Sequence, residues 1–262
     1  MIDLFGHNDV PVPEEVLAEL AAVCKQANVD MLVVGAAARD LVIHSQQQKE
    51  PRHATDDIDI AVAVRADEQF LELTGTFARR GKAPHKFKVL GVEVDIVPFG
   101  GNEADRTVTF TDGKLLDVTG LQEAHSTSVS VRMPRGTELQ VISPAALTAL
   151  KILAWHDRHT DNPKDGLGLA VILNALSERP FDDEVWDDDE ALDATDADII
   201  TAASYHYAHI AAQPFSPHDG MAVLDILRDP AQRQMLIRHM RNPLAGDLLT
   251  AYSRGFEAGL RR

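Results

Sequence analysis

The sequence predicts an α/β (α+β) core with a mixed sheet, plus an all-helical C-terminal domain, and three observations carry that prediction. Apolar β-type runs at 31–34, 58–64 and 92–97 are interleaved with Ala- and Leu-rich helical patterns. From residue 143 onward helical patterns dominate. At that change Ser143 and Pro144 stand as an N-cap residue and a proline at the first helical position, so the boundary is placed there, giving domains 1–142 and 143–262.

Residues 13–24 open with Pro13, Glu14 and Glu15 and then space apolar residues at helical intervals, which predicts a first helix ahead of the first strand. The strand 31–34 stops at Gly35, where Ala36, Ala37 and Ala38 start a helix expected to reach about Ser45. A polar loop over 46–53 leads to an acidic strand. Asp56 is expected as a turn or capping residue at its entry. Residues 67–80 read as a helix crossing back over the sheet, with Phe70, Leu71, Leu73 and Phe77 apolar. Residues 85–97 read as a hairpin turning at Gly91, with Val92, Val94 and Ile96 on one face and Glu93, Asp95 and Val97 on the other. An irregular stretch around Gly100, a short helix near 121–125 and alternating runs at 127–133 and 138–142 complete the sheet. Further helices are expected at 143–155, 166–177, 195–212, 218–227, 231–240 and 245–260.

Composition bounds the function. The net charge of -16 argues against a generic nucleic-acid coat, whose phosphates ask for Lys and Arg. Residues 182–198 hold ten acids and no base, the part before Thr195 being read as an exposed loop, so a local basic patch elsewhere stays compatible with the count. The single cysteine, Cys24, excludes an internal disulfide and fits a reducing, cytoplasmic setting, with the thiol as core filler. No apolar run reaches the ~18 residues of a membrane span, and the N-terminus lacks a signal-peptide pattern, so a soluble protein is expected.

The chemistry concentrates on Asp57 and Asp59. A strand alternates faces, so the two carboxylates lie side by side while Ile58 and Ile60 turn to the core. Like charges on one strand face repel, which makes the pair costly unless a cation lies between them. The bland reading is the solvated face of an edge strand. Two further features favour the cation: Gly35 opens a helix N-terminus suited to phosphate, and Asp95 sits on a neighbouring strand. Gly35, the Asp57-x-Asp59 pair and Asp95 together resemble the active-site pattern of the DNA polymerase β-type nucleotidyltransferase superfamily, over about 70 residues. The resemblance implies that Asp57, Asp59 and Asp95 hold two Mg²⁺ ions and that the turn at Gly35 and Ala36, with Arg39, contacts the nucleotide.

Two branches of that superfamily compete. Gly35-Ala36-x-Ala38-Arg39-Asp40 ahead of the acid pair is similar to the start of a tRNA CCA-adding enzyme or poly(A) polymerase, but no Arg-Arg-Asp element follows. The stretch from Ser143-Pro144 to Lys151, then Arg158, then Lys164-Asp165 resembles the AbiEii and MenT group of nucleotidyltransferase toxins. That resemblance implies an NTP substrate, Lys151 neutralising the triphosphate, Asp165 supporting the site, a tRNA 3′ end as acceptor and an antitoxin partner. Ala36 stands where a hydroxyl or glycine is common and Gly168 where a second acid is common, which leaves open a catalytically idle, partner-binding reading. Taken by itself, Lys151 would be a snorkelling surface lysine, and Arg39 either contacts phosphate or pairs with Asp40 or a strand carboxylate. His156 with His159, and His206 with His209, are read as surface or helix-end histidines, and Trp155 and Trp186 as packing residues.

Overall fold

The computed structural model describes residues 1–7, 10–47 and 57–261. It is a mixed α/β structure with a helical C-terminal region, and it divides into two compact units, Met1–Ser143 and Pro144–Arg262.

In the first unit, β1 (Ile2–Asp3) precedes helix α1 (Glu14–Gln26), whose Leu17, Leu20 and Cys24 are buried. Strand β2 (Asp30–Val34) runs into a continuous helical segment: α2 (Gly35–Arg39), one wider π turn (Asp40–His44) and α3 (Ser45–Gln47). Gln46 and Gln47, expected in a loop, therefore continue the helix, and the Gln46 side chain bonds back to Val42 O at 2.6 Å. The remainder of that loop and the cap expected at Asp56 lie outside the described residues. Strand β3 (Asp57–Val64) is followed by α4 (Asp67–Thr74), shorter than the helix expected over 67–80. Its chain ends at Gly75, and Ala78–Arg79 instead forms β4, paired with β5 (Lys86–Val89). Glycine stops a helix because ordering its backbone costs more than ordering any other residue's.

Strand β6 (Val92–Gly100) closes the hairpin with β5 through Leu90 and Gly91, both at positive φ as a two-residue turn demands. The stretch read as irregular contains a small separate sheet, β7 (Glu103–Ala104), β8 (Thr107–Thr109) and β9 (Leu115–Asp117). Such two- and three-residue strands are too short to leave an alternation in the sequence. Then come α5 (Leu121–Ser126), β10 (Val129–Arg132) and β11 (Glu138–Val141). Among the described residues the main sheet has eight strands in the order β1-β10-β11-β2-β3-β6-β5-β4, mixing parallel and antiparallel pairs. Its core is built by Leu32, Val33, Ile58, Ile60, Val94 and Ile96, all essentially inaccessible to solvent.

The second unit is helical: α6 (Pro144–Arg158), α7 (Lys164–Leu176), α8 (Asp182–Trp186), α9 (Asp189–Ala194), α10 (Ile199–Ala212), α11 (Pro217–Arg228), α12 (Pro230–Met240) and α13 (Ala245–Leu260). The acidic segment is not a loop. Its acids sit where a helix favours them: Asp182, Asp183, Asp189 and Glu190 occupy first turns, Asp188 caps α9 and Asp198 caps α10. Trp186, expected as packing, is 52 % exposed, whereas Trp155 is fully buried. His206 and His209, expected at the surface, are largely covered, with His206 Nδ1 2.6 Å from Asp188 Oδ2. Among the described residues no helix is long and apolar enough to cross a membrane.

Candidate metal and nucleotide site

β3 lies between β2 and β6, antiparallel to the first and parallel to the second. The register places Val34, Asp59, Asp95 and Lys86 in one row across four strands, with Asp57 beside Glu93 in the next. Because Ile58, Ile60, Val94 and Ile96 anchor the opposite face in the core, the acids are held on the other face and remain partly exposed. One carboxylate oxygen from each of Asp57, Asp59 and Asp95 lies within 4.8 Å of the others. Three hard oxygen donors with no His or Cys among them suit a hard divalent cation such as Mg²⁺.

Gly35 abuts this cluster. Its φ is +70°, and a Cβ there would stand 2.8 Å from Asp59 Cγ, so the turn presses its backbone against the carboxylate. Ala36 follows in α2. Arg39 donates through Nε and Nη2 to Asp40 Oδ1, at 3.1 and 2.9 Å. Of the two sequence readings of Arg39, the structure shows the ion pair. Burial pushes the Asp40 carboxyl up, and hydrogen bonds and charges from His44 and Arg39 more than reverse it, so the group ends below its ordinary value.

Two cations flank the acids that sequence reasoning passed over. Lys86 Nζ donates to Asp95 Oδ2 at 2.7 Å, and Arg80 pairs with Glu93. The signal was present: counting outward from the two-residue turn at Leu90-Gly91 pairs 89 with 92, 88 with 93 and 86 with 95. His85, next to Lys86, is held below the usual histidine range by burial, against the raising effect of the Asp95 charge.

In the second unit Lys151, Arg158 and Asp165, the residues carrying the toxin-group resemblance, come together. Asp165 side-chain exposure is 5 %. It accepts from Lys151 Nζ at 2.8 Å and from Arg158 Nε and Nη2 at 2.5 and 3.0 Å. Burial alone would raise the Asp165 pKa; the Arg158 hydrogen bond and the two positive charges outweigh it and leave it lowered. Lys151 is thus not a snorkelling surface residue. Gly168 lies beside it, and a Cβ there would make ordinary contact with Lys151 Cε at 3.6 Å. His156 meets Gln232, and His159 stacks on Trp155 with ring centroids 4.4 Å apart.

No protein-family model matches the chain, and no curated protein matches it by sequence. Among solved structures it is similar to that of the antibiotic-resistance factor ANT(2'')-Ia, with 12 % identity and a TM-score of 0.36, over 58 % of this chain and 76 % of that one.

Proposed function

We propose that the chain is a Mg²⁺-dependent nucleotidyltransferase that moves a nucleoside monophosphate from an NTP to an acceptor hydroxyl. The observation that carries this is the convergence of Asp57, Asp59 and Asp95, one oxygen each within 4.8 Å, beside the glycine turn of Gly35. In this reading the catalytic domain is 1–142 and the helical domain 143–262, and the protein acts in the cytoplasm, which the buried lone thiol of Cys24 fits.

In the reaction the acceptor oxygen bonds to the α-phosphorus, the α–β P–O bond breaks and pyrophosphate leaves. Asp57, Asp59 and Asp95 would hold two Mg²⁺ ions, which when bound polarise phosphoryl oxygens and lower the pKa of the acceptor hydroxyl. The backbone N–H groups of Gly35 and Ala36 offer hydrogen bonds to phosphate without any side-chain hydroxyl. Arg39 holds Asp40 through Nε and Nη2, which leaves its Nη1 as the donor it would offer a nucleotide. Lys151 is assigned the charge that develops on the leaving pyrophosphate, with Asp165 orienting it; what supports this is that Asp165 fixes both Lys151 and Arg158.

The acceptor proposed is a tRNA 3′ end, and the biological role that of a toxin with an antitoxin partner; the Lys151, Arg158 and Asp165 constellation is what supports that branch. Incubation with each labelled NTP, Mg²⁺ and total tRNA is expected to label RNA, and Asp57→Ala to abolish it. Absence of transfer to any acceptor overturns the reading. The Lys86 ammonium on Asp95 favours a second reading, a catalytically idle fold that binds a partner. Calorimetric titration with NTP and Mg²⁺ separates the two, because an idle fold without nucleotide affinity releases no heat.

A further inference from the structure

The acid cluster carries a cation of its own. Lys86 Nζ stands 2.7 Å from Asp95 Oδ2, at the rim of the cluster, with the lysine side chain 36 % exposed and Asp95 17 %. The placement is built in. Phe87 and Val89 bury β5 in the core, which holds Lys86 in register opposite Asp95. The neighbouring acid on the same face, Glu93, has Arg80 as its partner.

An ammonium at hydrogen-bond distance from one carboxylate of a three-carboxylate site has two effects. Its charge opposes the approach of a dication, and its hydrogen bond occupies a carboxylate oxygen that the dication would use. A lysine is well suited to yielding its position: it is a compact point charge on a flexible stem, exposed on one side. The oxygens of a polyphosphate offer that ammonium charge-assisted hydrogen bonds of the kind it makes with Asp95.

We infer that Lys86 is a tethered counter-ion, which keeps the cluster of Asp57, Asp59 and Asp95 partly neutralised until a polyphosphate draws its ammonium away from Asp95. Divalent-cation loading then follows nucleotide arrival. This rests on the metal-site reading proposed above. Lys86 acts here as a positioning residue, through Asp95.

The test is equilibrium binding of Mn²⁺ to the full chain without nucleotide, followed by the free ion's electron paramagnetic resonance signal. Lys86→Met is expected to bind Mn²⁺ about tenfold more tightly than wild type, and Lys86→Arg, which keeps the charge, to behave as wild type. A non-hydrolysable NTP analogue, after subtraction of the solution complex, is expected to tighten Mn²⁺ binding in the wild type and to do so much less in Lys86→Met. Equal or weaker Mn²⁺ binding by Lys86→Met overturns the inference. Asp57→Asn separates the two levels: if it loses Mn²⁺ while Lys86→Met gains none, only the counter-ion role falls. If Asp57→Asn binds Mn²⁺ like wild type in both the Lys86 and the Lys86→Met backgrounds, the metal site itself falls, and the counter-ion role with it.

Discussion

Gly35 occupies a position that no other residue type satisfies, since its φ of +70° and the closeness of Asp59 both exclude a Cβ. Gly35→Ala is expected to cost about 2 kcal/mol of stability or more, the left-handed conformation alone accounting for about 1–2 kcal/mol. Nucleotidyl transfer should fall with it, because the carboxylate that moves belongs to the site; urea unfolding and the labelled-NTP assay measure the two. Asp165 is the second such residue. Asp165→Asn leaves Lys151 and Arg158 facing a neutral amide, and is expected to cost about 2 kcal/mol, below the full buried-pair penalty because Arg158 is 55 % exposed. The pH dependence follows from the lowered folded pKa. Stability from this carboxylate is fully present above its ordinary value of 3.8 and is lost as pH falls through the lower folded value. Urea midpoints of wild type and Asp165→Asn should therefore converge in strong acid.

Helices α10 and α13 meet backbone to backbone at glycines. A Cβ on Gly255 would come 2.8 Å from Tyr205 C, and one on Gly259 2.8 Å from Ala212 Cβ, while Ser204 Oγ donates to Leu248 O at 2.8 Å. Gly255→Ala gains about 1 kcal/mol of helix propensity. Against that, carbonyl backbone cannot give way as a flexible side chain does, so overpacking wins and a net loss of about 2 kcal/mol is expected by thermal denaturation. The acidic segment allows a second comparison. Asp198 accepts from Ile200 N and Thr201 N at 2.9 and 3.2 Å, so Asp198→Ala should cost about 1 kcal/mol, whereas exposed Asp193→Ala should stay within about 0.5 kcal/mol. A run of acids reads as a loop when only charge is counted. The two short helices were hidden because their evidence is positional, acids in each first turn and Asp188 at the α9 cap, and not periodic.

Over the whole chain 41 acids face 25 Lys and Arg, and eight of the ten acids of 182–198 are packed into two short helices and their caps. Self-repulsion among such charges is long-ranged and screened by salt, whereas most ion pairs on the surface contribute little. The melting temperature is therefore expected to rise as NaCl is added from low ionic strength; a fall would mean that attractive pairs outweigh the repulsion. Much of this architecture was legible: the strand at Asp57, the hairpin delivering Asp95 and the helix start at Pro144 follow from short-range rules of alternation and capping. The three-stranded small sheet and the early end of α4 were not, since neither leaves a periodic trace.

The chain alone determined that Asp57 and Asp59 would share one strand face and that Asp95 would lie opposite the apolar face of its own strand, because side-chain alternation is a property of the extended backbone itself. Only tertiary structure decided that Gly35 would press against Asp59 and that Lys151 and Arg158 would both fall on Asp165, whereas the Lys86–Asp95 pair follows from the hairpin count. The contacts at Asp59 and Asp165 depend on strand register and helix packing, which are fixed by burying apolar surface far from the residues concerned, so no local pattern of charges foretells them.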